Sequence, residues 1–221
     1  MNTHTETRTS SHWHHKLYQV RCYLYHQMIR ILGLPYLVLW YLVGWRIEQG
    51  IPDIEKYVVL AAPHTSNWDL LIMLPAALQN GRFPRILMKH TLFRGPLGWV
   101  LDMIGAIPID RTQPHNIIPA LVAEVEQSKN IILVFTPEGT RKKTDHWKSG
   151  FYYVALGAKV PIICEYVDYK RKRVGAGLIL YPSGDIASDF AQIRTFYENN
   201  GCGKHPDQLS DIVLKPSHGQ L

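Results

Sequence analysis

The chain has 221 residues, 46% of them hydrophobic, with 24 Lys and Arg against 18 Asp and Glu and a net charge of +6. That length fits one α/β domain with a sizeable core and a short appendage, and the basic balance calls for an anionic partner: nucleic acid, acidic lipid or a phosphorylated substrate. Three scattered cysteines, Cys22, Cys164 and Cys202, contain no CxxC pair; they argue for a reducing compartment and against a disulfide framework or a zinc site.

In chain order, residues 1–15 are polar and without periodicity, which reads as a mobile tail. His12, His14 and His15 have no supporting carboxylate or cysteine, so a solvated tail is favoured over a metal site. Residues 16–50 read as a membrane-associating helical element. Leu17, Val20, Leu24, Met28 and Ile31 follow helical spacing, Lys16, Arg21 and Arg30 add positive charge, and Gly33 and Pro35 are expected to break the helix. The uncharged run Ile31–Trp45 is shorter than the ~20 residues of a straight span. It lies too deep in the chain, and lacks a cleavage site, for an ordinary secretory signal. The expectation is a helix-turn-helix lying in one leaflet, with Trp40, Tyr41 and Trp45 as its aromatic belt; the competing reading is a pair of core helices packed on the domain. Trp and Tyr beside Lys and Arg favour a lipid surface over nucleic acid.

Residues 51–221 alternate strand and helix signals. Strands are expected at 57–62, 85–89, 106–109, 131–136, 161–169 and 174–181, and helices at 68–80, 97–104, 116–129, 149–156 and 188–199. This alternation predicts βαβ units: an α/β fold with a mostly parallel sheet flanked by helices. Tyr169–Arg173 (YKRKR) reads as an exposed hairpin connection, a solvated turn that beside a membrane could also touch anionic lipid.

Three stretches carry the chemistry. In Tyr57–Leu74 (YVVLAAPHTSNWDLLIML) a buried strand runs into a polar knot, and Ser66 or Asn67 caps the helix that follows. His64 and Asp69 then stand at the carboxyl end of the strand, where open α/β sheets keep their ligands. Alone, the pair reads equally well as a loop histidine and a helix-capping aspartate. In Gly105–Arg111 (GAIPIDR), Asp110 and Arg111 form either a surface ion pair or, through Arg111, a phosphate contact. In Ile131–Arg141 (IILVFTPEGTR) a strand ends in Glu138, Gly139, Thr140 and Arg141; Gly139 permits positive φ, and Thr140 and Arg141 offer donors to an anion. A plain turn is the alternative there. Lys89, at the end of the second strand, is a further anion contact or simply an exposed lysine.

Taken together, HTSNWD, GAIPIDR and TPEGTR, followed by Val160–Ile162, resemble the glycerolipid acyltransferases, and specifically the 1-acylglycerol-3-phosphate (lysophospholipid) acyltransferase family. That family carries HxxxxD, GxxxxxR, FPEGTR and VPI blocks in this order; the resemblance spans 57–166. Thr136 replaces the usual Phe, Lys142 a common Ser, and Cys164 the Pro that closes the fourth block. The resemblance implies a glycerol-3-phosphate acyltransferase-like fold and acyl transfer from acyl-CoA or acyl carrier protein to a lysophospholipid hydroxyl at the cytoplasmic face of the inner membrane, with no cofactor and no metal. His64 is then the general base and Asp69 fixes its tautomer. Arg111, Gly139, Thr140, Arg141 and Lys89 hold the acceptor headgroup, and Glu138 orients those donors or touches the acceptor. Two other readings stand beside it: the same chemistry on another lysolipid such as lyso-ornithine lipid, and a non-catalytic peripheral membrane protein. The absence of G-x-S-x-G and G-x-x-x-x-G-K-[ST] argues against a serine hydrolase and a P-loop enzyme.

Overall fold

The computed structural model describes residues 33–50, 53–78, 84–103, 105–110 and 114–214. The expected tail 1–15, the first helix of the 16–50 element and Arg111 lie outside them.

Helix α1 (residues 33–42) leads into β1 (Arg46–Gln49). There follow β2 (Lys56–Ala62), α2 (Trp68–Leu78), β3 (Pro84–Lys89), α3 (Gly95–Met103), β4 (Ile107–Ile109), α4 (Pro114–Gln127), β5 (Ile131–Phe135), α5 (Gly150–Ala158), β6 (Ile162–Asp168), β7 (Arg173–Leu180) and α6 (Ile186–Asn199). The seven strands form one sheet in the order β1-β7-β6-β2-β5-β3-β4. Strands β6, β2, β5, β3 and β4 run parallel, while β7 returns antiparallel to β6 and carries β1 parallel to itself. The sheet is mostly parallel and flanked by helices, as the βαβ alternation predicts.

Strand β2 explains the layering. In a parallel sheet with helices on both faces, a central strand is apolar at every position. Val58, Leu60 and Ala62 point into one core with α4, α5 and α6, centred on Leu121, Phe151, Tyr152 and Ile193. Tyr57, Val59 and Ala61 point into a second core with Met73 and Ala76 of α2 and with Trp40 and Trp45.

Those two tryptophans correct the aromatic-belt expectation. Trp40 and Trp45 are 2% and 6% exposed. Their rings stack at 6.0 Å, Trp45 meets the edge of Tyr169 at 5.2 Å, and the Trp40 indole donates to the Ile72 carbonyl at 3.2 Å. The competing core-helix reading describes this face of α1, because an indole buries more area against a sheet than any other side chain and here its N–H also finds an acceptor. Gly33 and Pro35 lie in the first turn of α1 as described, where the proline φ suits a helix; the helix they are expected to break lies outside the described residues. β1, which falls inside the stretch expected to be helical, is an edge strand held by pairing with β7 rather than by apolar burial. The opposite face of α1 stays apolar and exposed at Leu34, Val38, Leu39 and Leu42. No helix among the described residues is long and apolar enough to cross a membrane.

Candidate active site

The site is built at the carboxyl end of β2. After Ala62 the chain passes through a cis peptide to Pro63 and turns over residues 63–67 into α2. Asp69 falls in the first turn of α2, where the helix dipole favours a carboxylate. The Ser66 hydroxyl accepts from the Trp68 amide at 3.2 Å, so Ser66 supplies the expected cap, while Asn67 accepts from the Arg141 guanidinium instead.

Four donors converge on Asp69, itself 2% exposed. Oδ2 accepts from His64 Nδ1 at 3.1 Å and from the amides of Thr65 and Ser66 at 2.9 and 2.8 Å; Oδ1 accepts from the Tyr169 hydroxyl at 2.7 Å. Burial alone would raise this carboxyl, but the bonds from His64, Tyr169 and the Ser66 amide outweigh it and hold the group below its ordinary value. An ionised carboxylate has no proton to give. The hydrogen in the His64–Asp69 bond therefore sits on Nδ1, and in the neutral imidazole Nε2 keeps its lone pair.

His64 stands at the mouth of a cavity of about 450 Å³. Lys89, Gly139, Thr140 and Arg141 border it, and its floor is apolar, from Val59, Ala61, Ile132 and Val134 of the sheet to Met73 and Leu74 of α2. Six of the residues singled out in the sequence thus converge: His64, Asp69, Lys89, Gly139, Thr140 and Arg141 all line one chamber. Gly139 has φ 62° and closes its turn with a 3.0 Å bond to the Thr136 carbonyl, as the TPEG pattern predicts.

Glu138 is placed differently from an acceptor contact. It is 5% exposed, is absent from the cavity wall, and accepts the His64 amide at 3.0 Å through Oε1; Oε2 is buried without a hydrogen-bond partner. Burial pushes its carboxyl up, against the opposing bonds from its own amide and that of His64. Its bond is to the backbone of the histidine loop, a contact that neither expected role names.

Two supports are not apparent from the sequence. Tyr169 reaches Asp69 across 100 positions from the end of β6. On the outer side of the loop, the His205 amide donates to Thr65 Oγ1 at 3.3 Å, and Gly203 packs so closely that a Cβ there would lie 2.8 Å from the Thr65 side chain. Only the glycine pair 201 and 203 hints at this close approach. Among the described residues, no three His, Cys, Asp or Glu side chains are grouped to hold a metal ion.

Comparison with known proteins agrees with these blocks. The chain is 31% identical over 134 residues to the 1-acyl-sn-glycerol-3-phosphate acyltransferase of Streptococcus pneumoniae, covering 59% of this chain and 50% of that one. It is 30% identical over 158 residues to the mouse enzyme named 1-acyl-sn-glycerol-3-phosphate acyltransferase alpha, covering 66% and 54%. The crystal structure of the 1-acyl-sn-glycerophosphate acyltransferase of Thermotoga maritima superposes with a TM-score of 0.48 at 16% identity, over 83% of this chain and 93% of that one. The chain spans about half the length of the curated relatives it matches. The family pattern described as Acyltransferase matches residues 45–167, more than half of the 221, and the chain belongs to that family.

Proposed function

We propose that the chain transfers a fatty acyl group from acyl-CoA or acyl carrier protein to the free hydroxyl of a lysophospholipid, with 1-acylglycerol-3-phosphate as acceptor and phosphatidic acid as product. The observation that carries this reading is the His64 Nδ1–Asp69 Oδ2 bond of 3.1 Å at the mouth of an apolar chamber rimmed by cations. Nε2 of His64 takes the proton of the acceptor hydroxyl as its oxygen attacks the thioester carbonyl. The C–O bond forms, the C–S bond breaks, and the departing thiolate recovers the proton from the imidazolium. No side-chain nucleophile is needed, because the acceptor attacks directly. The chamber floor takes the acyl chain, and Lys89, Thr140 and Arg141 take the phosphate. Asp69 and Tyr169 position His64.

The test is an acyl-transfer assay of the purified chain on a lysolipid panel that includes lyso-ornithine lipid, run with both thioester donors. Phosphatidic acid is the expected product; absence of transfer to any lysophospholipid overturns the reading. Within that assay, Arg141→Ala is expected to raise KM for the phosphorylated acceptor about tenfold, the worth of one charge-assisted contact, with little change in kcat. An equal loss toward an acceptor without phosphate would contradict the phosphate role.

The exposed face of α1 is the proposed membrane contact, at the cytoplasmic face of the inner membrane. Leu34, Val38, Leu39 and Leu42 are exposed there, and Lys172 and Arg46 stand beside it, donating to the carbonyls of Val43 and Tyr41 at 2.8 Å each. Burying each leucine in lipid is worth about 1.5–3 kcal/mol. Leu39→Asp combined with Leu42→Asp is therefore expected to weaken cosedimentation with anionic vesicles by at least about tenfold. Unchanged vesicle binding would remove α1 from the interface.

A further inference from the structure

Glu165 is a buried carboxyl in the chamber wall that this chemistry leaves unused. It sits in the middle of β6 with its side chain on the same face of the sheet as Ala61 and Val59, and it contributes to the cavity wall. It is 4% exposed, and its Oε1 is buried without a hydrogen-bond partner. Its register neighbours are Ala61 on β2 and Ala176 on β7, so small side chains flank it on both sides and nothing bulky separates it from the chamber. Its partner Ala61 lies one residue before the end of β2, and the turn that carries His64 begins just beyond. A buried carboxyl group set among the apolar sheet residues of the chamber wall is costly unless something pairs with it.

We propose that Glu165 is a specificity residue that recognises a hydroxyl carried part-way along the acyl chain, so that the chamber takes a hydroxyacyl group in preference to a plain one. The inference rests on the acyl-transfer reading above. The chemistry is reciprocal: a protonated carboxyl donates through O–H and accepts through C=O, and an alcohol does the same in return. Burial pushes this carboxyl up to about 8, so near neutral pH it carries the proton that the pairing uses. Sites that hydrogen-bond a substrate hydroxyl reject the analogue without it, because their own polar group is then left unpaired.

The experiment uses the full chain with hexadecanoyl-CoA and a series of positional hydroxyhexadecanoyl-CoA isomers, read in two ways: calorimetric binding in the absence of acceptor, and kcat/KM with lysophosphatidate. One isomer, with its hydroxyl in mid-chain, is expected to bind about tenfold more tightly than the plain chain, the worth of one buried hydrogen bond. Glu165→Leu is expected to bring the binding ratio to about one, and the isosteric Glu165→Gln to retain part of the preference. No preferred isomer in the wild type, no binding of any chain, or a preference that survives Glu165→Leu each overturns the proposal. A binding preference that depends on Glu165, without turnover of any donor, supports chain recognition and refutes acyl transfer. Should Glu165→Leu not fold, Glu165→Ala decides by the same ratio.

Discussion

His64→Ala is expected to lower kcat/KM for acyl transfer by about 10²–10⁴-fold, the usual contribution of a positioned general base. On the proposed mechanism the effect falls on kcat, because the imidazole would act on the proton in flight while the proposed acceptor contacts, Lys89, Thr140 and Arg141, are other side chains lining the cavity. Asp69→Asn should cost a similar factor for a different reason. Asp69 accepts from His64, Thr65, Ser66 and Tyr169 and donates to none of them. An amide in its place must turn its NH₂ toward donors on one side. Turned toward Tyr169, it reverses that bond but leaves no charge to stabilise the imidazolium; turned toward His64, it drives the imidazole hydrogen from Nδ1 to Nε2, leaving no base toward the substrate. Unchanged far-UV circular dichroism with lost turnover is the expected pairing of results. Full activity in purified His64→Ala would be fatal to the base assignment.

The parts of this arrangement visible in the sequence are those in which one stretch of chain carries both cause and consequence. The run Tyr57–Ala62 announces a strand buried on both faces because every residue is apolar, and both faces are indeed covered. His64 and Asp69 are five residues apart with a helix start between them, so local geometry alone brings them within reach. The TPEGTR turn works the same way. The supports behind the pair have no local sign: Tyr169, Glu138 and Gly203 reach the histidine loop from 74 to 138 positions away, through sheet order and a returning C-terminal segment.

The N-terminal sequence is ambiguous for another reason. An apolar helix with tryptophans has the same composition whether it lies on a bilayer or on a sheet, since both environments reward the same indole. In α1 both demands are met by different faces. Trp40 enters the core beside Ile72, while Leu39 and Leu42 point outward, 60% and 77% exposed. Composition cannot divide a helix this way; only the position of β2 and α2 beneath it does. β1 is less legible still, because Arg46–Gln49 holds two charged residues in four and owes its strand state to the edge of β7.

Raising the pH from 5 to 8 is expected to destabilise the fold, and Glu165→Gln to remove much of that loss. The folded-state value of Glu165 is raised from 4.5 to about 8 by burial. Between those two values the folded chain holds a proton that the unfolded chain has released, so unfolding sheds a proton and higher pH favours it. Below the lower value both states are protonated and there is no penalty; above the upper one both are ionised and the penalty is complete. Its ceiling is on the order of 5 kcal/mol, reduced by any water that reaches the carboxyl from the cavity. Glu138 is also raised by burial and adds to the same slope. Asp69, held below its ordinary value, acts in the opposite sense: its stabilisation is present above that value and is lost only in stronger acid, outside this window. The Tm of the wild-type chain should therefore decline steadily from pH 5 to pH 8, while that of Glu165→Gln declines less and ends higher at pH 8. Parallel curves for the two proteins would mean that Glu165 carries the same charge folded and unfolded, and that the chamber holds a solvated carboxylate instead of a protonated acid.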